Sequence, residues 1–225
     1  MKTTTQKLME LYNAMHRFFG PQAWWPGDGP LEVMIGAVLT QNTNWKNVER
    51  AIDNLRKKNL IDIEKLVQLD TNELAELIRP AGYFSVKAKR LKNLIHFIHE
   101  NYGGDLQRFF ELSVTQLREE LLSVNGIGYE TADDIILYAA CKPAFVVDTY
   151  TYRIMLRHLL ISQDDDYMAI KALFEDNLPA DVELFNEYHA LLVAVGKNYC
   201  KKTNPLCEKC PLNPYEHDPN LPEYL

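Results

Sequence analysis

The sequence predicts an all-α protein, and three observations support this fold class. Apolar residues recur at helical spacing along most of the 225-residue chain. Capping residues, Gly and Pro divide this pattern into segments long enough to be helices. No segment shows the strict alternation of apolar and polar residues that is typical of a half-buried strand. The hydrophobic content of 47% is enough for one sizeable core or two small ones.

The predicted helices follow one another closely along the chain. The first carries an apolar stripe from Leu8 to Phe19 and ends at Gly20-Pro21. The next two share residues 30–58, with a break near Gln41–Asn44. The others run from a cap at Asp70 to Ile78, over 86–101, from a capping box at Ser113 to about Val124, and over 131–140, 149–161, 166–177 and 184–199. From Cys200 onward the chain has no periodicity, which predicts a loop.

The charge pattern gives weak guidance about partners. The net charge of −7 argues mildly against nucleic acid, because phosphate contacts usually come from Lys and Arg. One basic cluster, Lys87 to Lys92, is most simply a solvated helix face. No run of about 18 apolar residues exists, and the N-terminus does not resemble a signal peptide. We therefore expect a cytoplasmic protein without membrane association.

Asn125-Gly126-Ile127-Gly128 predicts a tight turn between two helices. Glycines let the backbone turn sharply and approach another molecule closely. The helix that follows begins at the turn, so its N–H groups and dipole can hold a phosphate without side-chain charge. That geometry would remove much of the objection from the negative net charge. An ordinary helix–turn–helix corner has the same G-x-G pattern, so the pattern alone does not decide between the two.

Asp148 follows the apolar run Phe145-Val146-Val147 and opens the next predicted helix. The dipole and N–H groups of a helix N-terminus keep a carboxylate ionised, as a catalytic carboxylate would require. Asp is also a preferred N-cap residue, so the position alone predicts a structural cap.

The cysteines are unevenly placed. Cys200, Cys207 and Cys210 fall within eleven residues, which in a cytosolic chain indicates metal ligation rather than disulfides. Cys141 stands apart, and we expect it to be a small buried residue.

Several of these motifs, in this order, resemble the endonuclease III superfamily of helix–hairpin–helix DNA glycosylases. In that family a hairpin of the form L-P-G-x-G precedes V-D-T and an Arg, and here Val124–Gly128 precedes Val146–Arg153. The resemblance extends to Leu39–Thr43, to Ala81–Ala88 and to the cysteine tail. It therefore covers nearly the whole chain.

The resemblance implies a double-stranded DNA partner with a damaged base. Asp148 would then be the catalytic carboxylate, which stabilises an oxocarbenium-like sugar and helps to orient water. Gln41 would fill the space left by the flipped base, and Tyr83 would wedge the opposite strand. The other residues expected at the DNA are Asn42, Lys87, Gly126, Ile127 and Gly128.

Bifunctional members of the family carry a Lys just after the hairpin, which attacks the sugar as a Schiff-base nucleophile. Glu130 stands at that position here, so the resemblance implies a monofunctional glycosylase without AP-lyase activity. Trp24, Trp25, Pro26 and Trp45 would line the pocket for the flipped base, with Glu130 near it, although each aromatic is also a reasonable core anchor. This pattern is closest to the 3-methyladenine glycosylases, because aromatic faces favour positively charged alkylated purines.

The cysteine tail reproduces three of the four ligands of the family's 4Fe–4S motif. At the fourth position this chain has Glu216, followed by His217. Three alternatives stay open: a 4Fe–4S cluster with His217 or another non-Cys ligand, zinc held by Cys₃His, or no metal.

The expected architecture is two helical lobes with a DNA-binding cleft between them. Residues 24–142 would form the lobe with the hairpin, and residues 1–23 plus 143–225 would form the lobe with the cysteine loop. We expect a monomer, associated with the nucleoid of a bacterium or archaeon. The alternatives are a uracil or thymine mismatch glycosylase and a non-catalytic hairpin module that binds DNA or RNA.

Overall fold

A computed structural model describes residues 2–22, 24 and 27–221. All regular secondary structure in these ranges is helical, which confirms the all-α prediction. The α-helices of the described residues are α1 (Thr4–Phe19), α2 (Pro30–Leu39), α3 (Trp45–Lys57), α4 (Ile63–Gln68), α5 (Thr71–Leu77), α6 (Phe84–Tyr102), α7 (Leu106–Phe110), α8 (Val114–Ser123), α9 (Tyr129–Asp134), α10 (Thr149–Arg157), α11 (Tyr167–Glu175) and α12 (Val182–Asn198). Two 3-10 turns, Arg79–Ala81 and Cys207–Lys209, and a π-helical segment, Ile135–Ala139, accompany them.

The chain divides into two compact units. One unit joins Met1–Trp24 to Pro143–Leu225, and the other is Trp25–Lys142. The boundary after Lys142 is the one expected from the sequence, and the boundary after Trp24 lies one residue later than expected. In the part of the chain that the structure describes, no helix combines the length and the apolarity that a membrane span needs.

The unit Trp25–Lys142 is built around α2. Residues 32–39 of this helix are all buried, because the sequence is apolar on nearly every side of the helix. Helices α3, α6 and α9 and the π-helical segment pack against it. By contrast, α3 is amphipathic and buries one face, formed by Val48, Ala51, Ile52 and Leu55. Because α2 precedes the predicted hairpin in the sequence and α9 follows it, residues from both sides of the hairpin belong to one core.

The other unit is built around α12, which packs against α1 and α10. The Tyr188 hydroxyl donates a hydrogen bond to the Leu8 carbonyl at 2.8 Å and ties α12 to α1. Gly196 brings α12 close to α10, because any Cβ at this position would collide with the Tyr150 ring. The relation between α10 and α12 matters for the candidate site, since Asp148 caps the first of them.

Some predicted elements need correction. Helices α4 and α7 were not predicted, because five or six residues are too few to show helical periodicity. The helix predicted to reach residue 161 ends at Arg157, and Leu159 has a left-handed φ of 57°. Cys141 is exposed, so the prediction that it is buried is wrong. The capping box at Ser113 and Gln116 is confirmed.

Candidate functional site

The predicted hairpin forms a tight turn between α8 and α9, supported by α6. Gly126 has a φ of 99°, and a Cβ at this position would collide with the side chain of Arg90. The Asn93 side-chain amide donates to the Asn125 carbonyl at 2.9 Å. Ile127 is buried, and its N–H donates to the Val124 carbonyl at 3.0 Å. The glycine at 126 is thus required by the packing within the protein.

Gly128 differs from Gly126 in its surroundings. It is the N-cap of α9 with an ordinary backbone conformation, and a Cβ there would meet no atom of the described residues within 4 Å, its own helix and chain neighbours aside. The start of α9 therefore faces open space. On the next turn of this helix, the Thr131 hydroxyl accepts a hydrogen bond of 3.4 Å from the Gln41 amide. Gln41 and the exposed Asn42 thus lie beside the hairpin helix.

Tyr83 projects from the surface just before α6. Its side chain is 74% exposed, and its φ of 45° lies in the left-handed region, which costs a residue with a Cβ conformational energy. An exposed aromatic side chain on a strained backbone commonly marks a functional position rather than a core anchor. The placement fits the wedge expected from the sequence.

Lys87 does not lie where the sequence predicts. It is only 2% exposed, and its ammonium donates to the carbonyls of Leu39 (2.8 Å) and Ala81 (2.7 Å). Burial, followed by the charge of Arg90, lowers the pKa of Lys87 to about 8. The prediction of a DNA contact by Lys87 is therefore wrong, because the ammonium instead caps the end of α2, where carbonyls attract a cation.

The basic cluster around Lys87 is not a solvated face either. Lys92 is buried, and its ammonium donates to the carbonyls of Leu66, Val67 and Leu69 at the end of α4. Two of the cations predicted to face solvent thus hold the ends of helices inside the unit Trp25–Lys142.

Asp148 caps α10 and is recessed from the surface. Its Oδ1 accepts a hydrogen bond of 2.7 Å from the Thr151 N–H, and its Oδ2 lies 3.6 Å from Nε2 of His189 on α12. The Asp148 side chain is 14% exposed and that of His189 is 5% exposed. Burial acts to raise the pKa of Asp148, but the interactions with His189 and Thr151 outweigh it and hold the pKa below its ordinary value. The carboxylate is therefore ionised at neutral pH.

Trp45 is the first residue of α3 and lines an open pocket within the unit Trp25–Lys142. The other described residues of its lining are Gly27, Asp28, Glu32, Glu49, Ile52, Asp53 and Arg56. Arg56 pairs with Glu32 at 2.7 Å and with Asp53 at 2.7 Å. Four carboxylates and one guanidinium thus share the described part of this lining, so the cavity favours a positively charged ligand.

The remaining residues of the expected pocket are only partly described. Trp24 is partly buried and belongs to the same unit as Asp148. Trp25 and Pro26 lie outside the described residues. Glu130 is partly buried in the first turn of α9, where a carboxylate is favoured by the helix dipole.

The three clustered cysteines line one small cavity, together with His158 and His217. Burial raises the pKa of Cys210 to about 11 and lowers the pKa of His158 to about 4. Each imidazole has its Nδ1 against a backbone carbonyl, of Glu216 for His158 (3.1 Å) and of Tyr215 for His217 (2.7 Å). This arrangement leaves Nε2 of a neutral imidazole as the atom that can bind a metal.

Two buried arginines on α10 hold this loop. Arg157 donates to Cys200 Sγ at 3.3 Å and to the Lys201 carbonyl at 2.8 Å, and its buried Nε has no hydrogen-bond partner among the described residues. Arg153 donates to the Cys200 carbonyl at 2.7 Å. A buried guanidinium beside three thiols is suited to an anionic, thiolate-bound group.

The comparisons with known proteins identify the family. The profile of the HhH-GPD superfamily of base excision DNA repair proteins matches residues 35–180, well over half of the chain. The chain belongs to this superfamily. It is therefore a helix–hairpin–helix DNA glycosylase of base excision repair, and its partner is DNA.

Individual HhH-GPD proteins resemble most of the chain. A Methanocaldococcus jannaschii protein, named provisionally as a DNA repair glycosylase, is 46% identical over 93% of this chain and 96% of its own length. Endonuclease III of Thermotoga maritima is 31% identical over 80% of this chain and 79% of its own. The solved structure of the H. pylori 3-methyladenine DNA glycosylase bound to 1,N6-ethenoadenine is 29% identical, with a TM-score of 0.73 over 87% of this chain and 98% of that one.

The donor set of this HhH-GPD chain suits a metal only in part. Three thiols and two imidazoles border one cavity, beside the buried Arg157 Nε, for which the described part of the chain offers no hydrogen-bond partner. Among the described His, Cys, Asp and Glu side chains, however, no three converge as they would around an ion. The residues are thus of the right kind and lie around one cavity, without the closed geometry of a metal centre.

Sequence reasoning missed two residues, His158 and His189. His158 lies far upstream of the cysteines, so no ligand spacing includes it. His189 lies inside a regular amphipathic helix, where a buried histidine gives no signal of its own. The spacing between Asp148 and His189 carries no motif either, because packing of α10 on α12 brings them together.

Proposed function

We propose that this DNA glycosylase is monofunctional and hydrolyses positively charged alkylated purines of the 3-methyladenine type from DNA, leaving an abasic site. The observation that carries the choice of substrate is the cavity beside Trp45, which combines an indole with four carboxylates. A purine alkylated at N3 or N7 carries positive charge, and contact with an indole face favours it by about 0.5–2 kcal/mol. The likeness to the H. pylori 3-methyladenine glycosylase supports the same substrate class.

Asp148 supplies the chemistry in this proposal. Its carboxylate is held ionised, recessed and oriented at the start of α10. Loss of the base leaves an oxocarbenium-like sugar, and a fixed carboxylate stabilises that charge electrostatically. A cationic alkylated purine is already a good leaving group, so the proposed reaction needs no separate general acid.

Glu130 supports the absence of lyase activity. The resemblance places it where bifunctional relatives carry the Lys that forms a Schiff base, and a carboxylate cannot form one. Water would then complete the reaction, and the DNA strand would remain intact at the abasic site.

A single-turnover experiment tests both parts of the proposal. Duplexes that contain 3-methyladenine, hypoxanthine or uracil are incubated with the protein, and strand breaks are measured with and without alkali. We expect the fastest release from 3-methyladenine, strand breaks only after alkali, and no protein–DNA adduct after borohydride. If uracil is released fastest, the protein is a mismatch-type glycosylase instead. A trapped adduct would show that another amine acts as the nucleophile.

We also propose that the cysteine loop holds a 4Fe–4S cluster through Cys200, Cys207, Cys210 and one imidazole, with His217 as the ligand expected from the sequence. When bound, the cluster would have a structural role and order the loop that carries Lys201 and Lys202. The shared cavity and the Arg157 guanidinium support this assignment.

Iron, zinc and acid-labile sulfide in the purified protein, together with its Mössbauer spectrum, test the cluster. We expect about four irons and four sulfides per chain, as the cluster type requires. His217→Ala should change the spectrum, and His158→Ala serves as the matched comparison because it borders the same cavity. Stoichiometric zinc without sulfide would replace the cluster with a Cys₃His site.

A further inference from the structure

We propose that His189 is a positioning residue for Asp148, which fixes the orientation of the carboxylate and stabilises its ionised form during base release. This inference rests on the proposed role of Asp148 in catalysis. His189 is not expected to touch the DNA base or sugar, because it is buried in α12 and its side chain is only 5% exposed.

The geometry engages both oxygens of the carboxylate. Oδ1 accepts the Thr151 N–H at 2.7 Å, and Oδ2 faces His189 Nε2 at 3.6 Å. The two contacts come from different helices, α10 and α12, so together they determine the plane of the carboxylate as well as its position. The close packing of Gly196 on the Tyr150 ring holds these two helices together.

Other aspartates of the chain show that capping alone does not require this arrangement. Five other N-cap aspartates also accept a hydrogen bond from a backbone N–H two or three residues ahead: Asp62, Asp70, Asp105, Asp166 and Asp181. All five are exposed to solvent, whereas the Asp148 side chain is 14% exposed. Recessing a carboxylate is costly unless another group compensates for the lost hydration. His189 is the buried group that does so, which a simple cap would not need.

Two further ionisable groups near Asp148, Tyr150 and Arg153, lie on α10. Burial, and then the negative charge of Asp148, raises the pKa of Tyr150, while Arg153 acts in the opposite direction. The Arg153 guanidinium lies 5.2 Å from the centre of the Tyr150 ring and donates to the Cys200 carbonyl. His189 is therefore the group whose removal should alter Asp148 most directly.

The test compares His189→Leu, which removes the ring nitrogens, with His189→Gln, which restores an N–H near the position of Nε2 without the imidazole. Single-turnover base release from a 3-methyladenine duplex is measured from pH 5 to pH 9, with duplex Kd and thermal melting measured on the same samples. His16→Leu is the matched control, because His16 stacks on Tyr12 elsewhere in the same unit.

For His189→Leu we expect the rate at neutral pH to fall by about 10- to 100-fold, because the recessed carboxylate loses the imidazole that lies 3.6 Å from its Oδ2. The acid limb of the rate profile should move to higher pH, because the Asp148 carboxylate then protonates more readily. The duplex Kd should stay within about twofold. His189→Gln should recover most of the rate at high pH but keep the shifted acid limb.

Two results would overturn the inference. One is an unchanged rate and pH profile in folded His189→Leu or His189→Gln protein. The other is a parallel loss of rate and duplex affinity with a lowered melting temperature in both variants, which would indicate a purely structural histidine. Asp148→Asn separates this failure from failure of the proposed function. If Asp148→Asn is inactive while the His189 variants are normal, only the inference about His189 fails.

Discussion

Substitution of the two hairpin glycines by alanine should affect different properties, namely stability at Gly126 and DNA affinity at Gly128. Gly126 has a φ of 99°, and a Cβ there would collide with Arg90, lying 3.2 Å from its Cβ and Cδ. A left-handed conformation costs a residue with a Cβ about 1–2 kcal/mol. Displacing a packed neighbour costs about 1–3 kcal/mol, and Arg90 is only partly buried, so the lower end applies. We therefore expect Gly126→Ala to lower the free energy of unfolding by about 2–3 kcal/mol.

Gly128→Ala is the matched comparison. Its φ is −99°, and no atom from another part of the described chain lies within 4 Å of the added Cβ, so we expect a stability change within about 0.5 kcal/mol. The added methyl group would instead stand in the open space at the start of α9, where a DNA phosphate would approach the backbone. We expect the duplex Kd to rise by about tenfold, the equivalent of about 1.4 kcal/mol.

Urea denaturation and fluorescence anisotropy with a labelled duplex measure the two effects separately. The reasoning predicts a loss of stability for Gly126→Ala and a loss of affinity for Gly128→Ala. An unchanged urea midpoint for Gly126→Ala would refute the close packing of the turn on Arg90. Unchanged affinity for Gly128→Ala would show that the start of α9 does not approach DNA.

Three further predictions concern single side chains. In Asp148→Asn the amide oxygen can still cap α10, so we expect base release to slow by about 10²–10³-fold while the duplex Kd stays unchanged. A loss of both rate and binding would instead indicate that Asp148 is only a structural cap. Trp45→Ala should slow release of 3-methyladenine by about 3- to 30-fold while release of hypoxanthine changes less; equal losses would contradict a charge-selective pocket. The pKa of Lys87 falls from 10.5 to about 8 on folding, so between these pH values the unfolded state binds more protons. The free energy of unfolding should therefore rise by about 3 kcal/mol as the pH increases from about 8 to 10.5, which urea denaturation at several pH values measures. If the Lys87→Met protein shows the same rise, Lys87 is not its source.

The helix ends and the hairpin could be predicted from the sequence because they depend on neighbouring residues. A capping side chain bonds an N–H two or three positions ahead, so Ser113 and Asp148 are recognisable as caps from the sequence alone. The G-x-G turn is equally local. The order of the family's motifs along the chain was sufficient to indicate the superfamily and to single out Asp148.

Tertiary packing decided which charged groups are buried and what they contact. The sequence around Lys87 suggests a solvated basic helix, but the ends of α2 and of the 3-10 turn bring two carbonyls to its ammonium. His158 reaches the cysteine loop, and His189 reaches Asp148, only because α10 packs on α12 and its C-terminal end contacts the loop. Such contacts join residues far apart in sequence and depend on how helices pack, whereas capping and turn formation depend on the chain within a few residues.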